Sequence, residues 1–180
     1  MKLATGLLTL ALTYSAFAEP IPYNNKKRAL ADYTAVFDGI STQVAAVADS
    51  VSAYVAGSSP ADAVQTASDQ LVTTITDGAA AIPGFDALAN ADALALVTPI
   101  QDLTADVSSL VDAVVGAKSN FDADGRSADV LSSLQDQQGA AEALRDAITP
   151  KVPDALQDTA AELANGIVSE IQRGVDAYSA

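Results

Sequence analysis

The stretch "YTAVFDGISTQVAAVADSVSAY", residues 33–54, decides the fold because its large apolar side chains recur every three or four residues. This spacing places them on one side of a helix. The stripe consists of Tyr33, Phe37, Ile40, Val44, Val47, Val51 and Tyr54. Gly57 and Pro60 follow it and predict the end of the helix. The sequence therefore predicts a long amphipathic helix that buries one face.

Four further segments show the same helical period. These apolar stripes cover residues 64–75, 100–121, 130–148 and 156–178. A short helix is expected over residues 87–97. Because no segment alternates with a period of two, we predict an all-α protein, an antiparallel helical bundle of four or five long helices plus one short helix. A coiled-coil oligomer has similar spacing, but the Pro and Gly breaks favour a bundle within one chain.

Three helix starts carry residues that are typical of N-caps. Ser59 precedes a proline and suits the N-cap of the second long helix. Thr98 and Gln101 have the spacing of a capping box. Ser127 or Asp129 is expected to cap the helix that follows the next loop. These residues predict short connections between the helices.

The N-terminal residues have the pattern of a secretion signal, in which a basic residue precedes a short apolar run that ends in a small-x-small site at Ala18. Lys27-Arg28 resembles a dibasic processing site. The expected boundaries are 1–18 for the signal peptide, 19–28 for a short leader and 29–180 for a single helical-bundle domain. An uncleaved anchor and an unprocessed basic tail are the alternatives. The expected location is extracellular.

Composition narrows the function. The chain has no cysteine and no histidine, which excludes disulfides, soft metal sites and the usual nucleophile–base pairs. A net charge of −14 opposes binding to nucleic acid. No cofactor motif and, after residue 29, no membrane-spanning run is present. Asp102 and Asp106 share a helix face, and Asp122 and Asp129 would do so if the helix after the loop began early. These acids alternate with apolar stripe residues, which is typical of a solvated helix face and not of a catalytic carboxylate pair.

The loop "KSNFDADGRSAD", residues 118–129, first suggests a calcium site. A calcium-binding loop that began at Asp122 would need glycine at its sixth position and glutamate at its twelfth. This chain has Ser127 and Ser133 there, so the pattern fails. We instead predict a turn from Asp122 to Gly125 that folds one apolar stripe back against the next.

The interior of such a bundle has two possible forms. Small alanine side chains allow the helices to pack closely into a solid core, or the larger residues line a space between helices that takes an apolar ligand. Periodicity alone favours the solid core. A third possibility is that the bundle opens at an interface and lays its apolar stripes on a hydrophobic solid or a lipid.

The segment "VVGAKSNFDADGRSADVLSSLQDQQGAAEALRDAITPKVP", residues 114–153, carries a family resemblance. The matching elements are Lys118, Phe121-Asp122, Gly125, Val130-Leu131, Leu134 and Lys151-Val152-Pro153, with Val36, Ile40, Tyr54 and Ala177-Tyr178 elsewhere. Their order and spacing resemble the fungal hydrophobic surface-binding protein A family, which is similar to the cell-wall galactomannoproteins of filamentous fungi. The resemblance covers nearly the whole chain after residue 29.

The resemblance implies a secreted, all-helical protein that binds hydrophobic material. Family members are associated with adsorption to hydrophobic surfaces and with recruitment of polyester- or lipid-degrading enzymes, so a secreted esterase or cutinase-type enzyme is an expected partner. Related mannoprotein domains bind fatty acids between their helices. This chain lacks their Ser/Thr-rich tail and anchor signal, which favours free secretion over attachment to the cell wall.

Three functional hypotheses follow. The first is a secreted, non-enzymatic protein that binds hydrophobic surfaces or lipids and recruits hydrolytic enzymes to them. The alternative is a soluble carrier that holds a fatty acid in a cavity between helices. A carboxylate-dependent hydrolase is the least favoured. The candidate ligand-binding residues are stripe positions expected to face inward, namely Ile40, Val44, Val47, Leu103, Val107, Leu110, Leu134 and Leu144.

Overall fold

The structure, a computed structural model, describes residues 23–180, with side chains from Ala29 onward. Its helices are α1 (Tyr23–Val55), α2 (Ala61–Ala81), α3 (Asn90–Ala95), α4 (Val97–Gly116), α5 (Lys118–Ala123), α6 (Ser127–Ile148) and α7 (Gln157–Ser179). Short 3-10 turns at Ile82–Gly84, Thr149–Lys151 and Asp154–Leu156 join some of them. Within this part of the chain there is no strand, so the predicted all-α bundle of five long helices is confirmed.

The five long helices form a closed ring in the order α1, α2, α6, α7, α4, and α4 packs back against α1. Long helices that follow one another along the chain run in opposite directions. An odd number of helices cannot alternate all the way around a ring, so some neighbours must be parallel. Gln65 near the start of α2 bonds Ser133 near the start of α6, whereas Gly78 near the end of α2 faces Leu144 near the end of α6. These two helices are therefore parallel.

One end of this five-helix ring, which we call the α5 end, is closed by aromatic side chains. Tyr54 stacks on Phe121 with the ring centroids 4.5 Å apart, and its hydroxyl donates a hydrogen bond of 2.8 Å to Asp124 Oδ2. The Tyr178 hydroxyl donates to the carbonyl of Val114 at 2.8 Å. These contacts tie α1, α4, α5 and α7 together where the chain turns.

The opposite end, which we call the α3 end, is held by the segment between α2 and α3. The Lys151 ammonium donates to the carbonyls of Pro83 and Phe85, both at 2.8 Å. Tyr33 packs edge-on against Phe85 with centroids 5.2 Å apart, and its hydroxyl donates to the carbonyl of Asp86 at 3.2 Å. This segment therefore contacts α1 and the end of α6, while α3 itself lies over the start of α4.

The predicted helix over residues 100–121 is divided in the structure. Ala117 (φ −87°, ψ 0°) separates α4 from α5, so there are two short helices in the described part rather than one. Ala117 is buried, and a bend there lets Phe121 turn inward against Tyr54. The turn occupies only the second half of the range predicted from Asp122 to Gly125. Asp122 and Ala123 are still helical, and Gly125 takes the positive φ of 69°.

All three predicted N-caps are wrong. Pro60 occupies the N-cap of α2 in place of Ser59, and no side chain caps that helix. Thr98 lies inside α4, because buried Leu96 continues the chain in helical conformation from α3. The Ser127 hydroxyl donates to the Asp122 carboxylate instead, and Asp129 pairs with Arg126 at 3.1 Å. Ser127 and Asp129 therefore bind side chains of the loop and do not cap the free N–H groups of α6.

The expected signal peptide lies outside the described residues, and its cleavage stays a prediction, as does processing after Lys27-Arg28. Since α1 begins at Tyr23, cleavage there would shorten the first helix. Of the helices that the structure describes, none has the length and apolar character needed to cross a membrane.

Candidate ligand-binding site

The five-helix ring encloses a cavity of about 100 Å³ that all five long helices line. The expectation of a solid core is therefore wrong for this chain. Five helices in a ring leave space on the axis unless long side chains fill it. Here many wall positions carry valine, alanine or serine, which are too short to do so.

The structure brings all eight candidate residues to the wall of this single cavity. Ile40, Val44 and Val47 come from α1, and every one of the eight is at most 6% exposed. Each helix presents its stripe to the axis because residues three and four apart share a face. The inward face was therefore assigned correctly, and the eight residues form one continuous apolar wall.

The cavity approaches the surface at the α3 end. Its wall there includes Leu94, which is 59% exposed, with half-buried Ala93 and Val97 beside it. Leu156, just before α7, and Ala160, Leu163 and Ile167 in the first half of α7 are apolar and only half-buried. The second half of α7 is more deeply buried, with Ile171 3% and Val175 7% exposed. An apolar molecule would meet the least packed part of the wall here.

Polar side chains interrupt the apolar wall between α2 and α6. Gln65 and Ser68 of α2 and Ser133 and Gln137 of α6 all line the cavity. Gln65 Nε2 donates to Ser133 Oγ at 2.9 Å and also to Asp69 Oδ1 at 2.8 Å. Three of the four polar residues are fully buried, with Ser68 6%, Ser133 6% and Gln137 5% exposed. They form a polar layer in the half of the ring nearer the α5 end.

Sequence analysis did not identify this polar layer as part of the site. The signal was present, because Ser68 lies four residues after Val64 and three before Leu71, on the apolar stripe of α2. Gln137 lies in the same way between Leu134 and Ala141. A polar residue at a stripe position points toward the core, where it needs a partner.

The charged groups on the cavity wall are paired. Arg126 contacts the carboxylates of Asp62 and Asp129. Arg145 binds Asp146 at 2.9 Å and donates to Asn165 Oδ1 at 2.9 Å. Their positive charge is therefore offset by acidic partners close by.

Two buried tyrosines mark the two ends of the ring. Burial, assisted by the carboxylates of Asp86 and Asp32, raises the pKa of Tyr33 to about 12 at the α3 end. Burial, with the charge of Asp122 as a smaller cause, also raises the pKa of Tyr178 at the α5 end. Both phenols are therefore neutral over the ordinary pH range.

The four acidic residues singled out in the sequence do not come together in the structure. Asp102 and Asp106 lie on α4, Asp122 on α5 and Asp129 near the start of α6, and all four are exposed. Within residues 23–180, no group of three or more histidine, cysteine or acidic residues has the geometry to hold a metal ion. The chemistry that the described residues bring together is apolar contact with a few hydrogen-bonding groups.

Two curated relatives are cell wall mannoproteins. Cell wall mannoprotein 1 of Aspergillus fumigatus is 40% identical over 178 residues, which cover 99% of this chain and 60% of the relative. The protein of the same name from Aspergillus flavus is 38% identical over 174 residues, which cover 97% of this chain and 62% of the relative. The chain thus spans about three fifths of the length of these relatives.

Solved structures share the fold. Ligand binding domain 1 of the Penicillium marneffei MP1 protein, complexed with arachidonic acids, has a TM-score of 0.78 and 25% identity, covering 83% of this chain and 97% of that domain. Domain 2 of that protein, complexed with multiple arachidonic acids, has a TM-score of 0.78 and 27% identity, covering 83% and 95%. At the level of sequence, the family model described as hydrophobic surface binding protein A matches residues 30–150, and the chain therefore belongs to that family.

Proposed function

We propose that this protein binds a long-chain lipid, such as a fatty acid, in the cavity of the five-helix ring, without catalysing a reaction. The observation that carries the proposal is the enclosed apolar wall, to which Ile40, Val44, Val47, Leu103, Val107, Leu110, Leu134 and Leu144 all contribute. We propose these eight residues as contacts of the lipid chain. Each methylene group that leaves water for such a wall contributes about 0.8 kcal/mol to binding.

The two MP1 domains of the same fold support this proposal, since both were solved with arachidonic acids. A long acyl chain needs more room than the cavity of about 100 Å³ offers, because an apolar cavity of about 150 Å³ holds only a molecule the size of benzene. We therefore propose that the ring widens on binding. The first half of α7 is the part that moves most easily, because its apolar side chains are only half-buried.

Extraction of bound lipid tests the proposal. The protein is purified without detergent, extracted with organic solvent, and the extract is analysed by mass spectrometry. We expect a long-chain lipid in a fixed ratio to protein, and a lower ratio for Val107→Trp, whose larger side chain would fill the cavity. Val55→Trp is the matched control, because Val55 is 50% exposed at the end of α1.

Thermal unfolding of both tryptophan variants checks that they are folded. A folded Val107→Trp protein that carries as much lipid as the control would contradict binding in the cavity. If no variant carries lipid, titration of the extracted wild-type protein with arachidonic acid decides the matter. Failure to bind it would overturn the proposal.

Adsorption to hydrophobic surfaces is a second candidate function. The half-buried apolar face of α7 and the exposed side chain of Leu94 lie together at the α3 end and favour it. The lipid-free protein would adsorb to a hydrophobic polyester, and the adsorption would persist in salt, because apolar contact drives it. Weaker adsorption of Leu94→Ser than of Val55→Ser is the expected result, and equal adsorption would count against this surface.

Recruitment of a secreted esterase or cutinase-type enzyme is a further proposal, which rests on the family resemblance. Such an enzyme should bind a polyester film more strongly when the film already carries this protein. An extracellular or cell-wall location is proposed from the names of the two mannoprotein relatives. N-terminal sequencing of the protein from culture medium tests secretion and both predicted cleavages, because it distinguishes starts at Met1, Glu19 and Ala29.

A further inference from the structure

Ser68 and Gln137 differ from the other polar residues of the cavity wall. Gln65 and Ser133 bond each other across α2 and α6. No hydrogen bond joins the side chain of Ser68 or Gln137 to another described residue, although both are more than nine-tenths buried. Among the described residues, every fully enclosed side-chain nitrogen or oxygen atom has a partner. The Ser68 hydroxyl and the Gln137 amide are therefore not fully enclosed by protein, and both residues line the cavity.

Two buried polar groups without protein partners weaken the ligand-free fold. A donor or acceptor that faces an apolar cavity exchanges bulk water for surroundings with few hydrogen-bonding partners, and this exchange costs free energy. Leucine or alanine would suit these stripe positions better if packing were the only requirement. A ligand that brings a hydrogen-bonding group to this point of the cavity would supply the missing partner.

We propose that Ser68 and Gln137 anchor the head group of the bound lipid, and that this head group is uncharged. The proposal rests on the lipid-binding function proposed above. The serine hydroxyl and the glutamine amide can each donate and accept hydrogen bonds, so they suit a hydroxyl or a protonated carboxylic acid. The hydroxyl of an alcohol and a protonated carboxylic acid are both neutral groups that donate and accept hydrogen bonds.

The charges around the polar layer favour a neutral head group over a carboxylate. An ionised carboxylate in an apolar cavity is strongly disfavoured unless a cation pairs with it. The two arginines on the cavity wall are Arg126 and Arg145, and acidic neighbours offset both charges. The chain as a whole carries a net charge of −14. A fatty acid held at Gln137 would therefore bind in its protonated form.

The position of the polar layer also determines the orientation of the lipid in the ring. Gln65 and Ser133 lie in the first two turns of α2 and α6, near the α5 end, and Ser68 and Gln137 lie one turn farther in. The apolar wall continues from there toward Leu144 and Ile148 near the α3 end. The head group therefore lies deep in the ring, and the end of the chain lies toward the less tightly packed α3 end.

Competition binding with three probes of equal chain length tests the anchor. The probes are 1-hexadecanol, hexadecanoic acid and hexadecane, added to the delipidated full chain. Gln137→Leu should lower the affinity for hexadecanol about tenfold and leave the affinity for hexadecane unchanged, since one buried hydrogen-bonding partner is lost. The matched control is Gln135→Leu, because Gln135 is exposed on the other side of α6. Ser68→Ala is an independent second variant that should show a smaller loss of the same kind.

Two further measurements distinguish a lipid anchor at Gln137 from a residue with a merely structural role. The melting temperature of ligand-free Gln137→Leu should rise, because an amide without a protein partner is replaced by an apolar group. The affinity of the wild-type protein for hexadecanoic acid should increase as the pH falls from about 8 to about 5, because the acid becomes protonated.

The outcomes distinguish this inference from the proposed function. Equal loss of hexadecanol affinity in Gln137→Leu and Gln135→Leu would overturn the anchor, as would an acid affinity that falls with decreasing pH. Binding of hexadecane with no preference for hexadecanol would leave the lipid cavity in place and refute only the head-group site. If the wild-type protein binds none of the three probes, the proposed function itself fails.

Discussion

The two ends of the five-helix ring are built differently although the same helices form both. At the α5 end, Tyr54, Phe121 and Tyr178 are buried. Tyr54 stacks on Phe121, and the two tyrosine hydroxyls donate hydrogen bonds to Asp124 and to the carbonyl of Val114. At the α3 end, half-buried side chains of α7 and the exposed Leu94 line the cavity. The α5 end is therefore the more tightly packed end of the ring. Under the lipid-binding function proposed above, the ligand enters at the α3 end.

Helix α7 shows this difference along its own length. A Cβ atom built on Gly174, near the α5 end, would lie 3.2 Å from Leu134 Cδ2 and 3.4 Å from Val111 Cγ1. The nearest atom to a Cβ on Gly166, nearer the α3 end, is Thr104 Cγ2 at 3.6 Å. The helix is therefore packed closely against α4 and α6 at one end and more loosely at the other.

The largest expected effect comes from removing an aromatic side chain at the α5 end. Phe121→Ala should lower the free energy of unfolding by about 3–5 kcal/mol, because Phe121 is 1% exposed and stacks on Tyr54. Leu94→Ala at the α3 end should change it by less than about 0.5 kcal/mol. Urea unfolding measures both, and comparable losses would remove the distinction between the ends.

The glycines of α7 should respond in opposite ways to alanine. Gly166→Ala is expected to stabilise the protein by up to about 1 kcal/mol, because alanine has the higher helix propensity and the new methyl group has room. Gly174→Ala should give no gain or a loss of about 1 kcal/mol, because Leu134 must move aside. Paired thermal melts measure the difference. A gain at Gly174 that equals the gain at Gly166 would show that α7 is packed evenly.

A further expected effect, confined to alkaline solution, is a loss of stability. The pKa of Tyr33 is raised to about 12 in the folded protein, whereas an unfolded tyrosine ionises near pH 10. Between these values the unfolded chain loses the proton that the folded chain keeps, so the free energy of unfolding falls as the pH rises. Urea midpoints from about pH 9 to about pH 12 should decrease.

Tyr33→Phe is the control for the alkaline effect, since it removes the phenol but keeps most of the buried ring. Its midpoint should fall less steeply over the same pH range. The remaining slope contains the contribution of Tyr178, whose pKa is also raised by burial. An identical slope in wild type and variant would mean that Tyr33 ionises as readily in the folded state as in the unfolded state.

The helices could be predicted from the sequence because each carries its own periodic stripe. The order of the helices around the ring could not, because the pairs α2–α6, α4–α7 and α1–α4 are not consecutive along the chain. Turn residues identified the breaks but not their geometry. Ser59 and Thr98 fit the statistics of N-caps, yet tertiary packing placed the helix starts elsewhere.

The cavity could not be predicted from the periodicity of the stripes. The spacing predicts that Val44 and Leu110 face inward, but it does not predict whether side chains from opposite helices touch and fill the space between them. That depends on the number of helices in the ring and on the summed size of side chains from five segments. Ser68 and Gln137 were the available hint, because a solid core rarely keeps two polar side chains on its apolar stripes without protein partners.

Photochemical labelling tests the central claim, that the lipid lies inside the ring, most directly. A fatty acid with a diazirine midway along its chain is bound to the delipidated protein, irradiated, and the labelled residues are mapped by mass spectrometry. The account predicts one label per chain on cavity residues of α1 and α4, such as Val44, Val47, Val107 and Leu110. Labels confined to outward-facing residues, or several labels per chain spread over the surface, would contradict it.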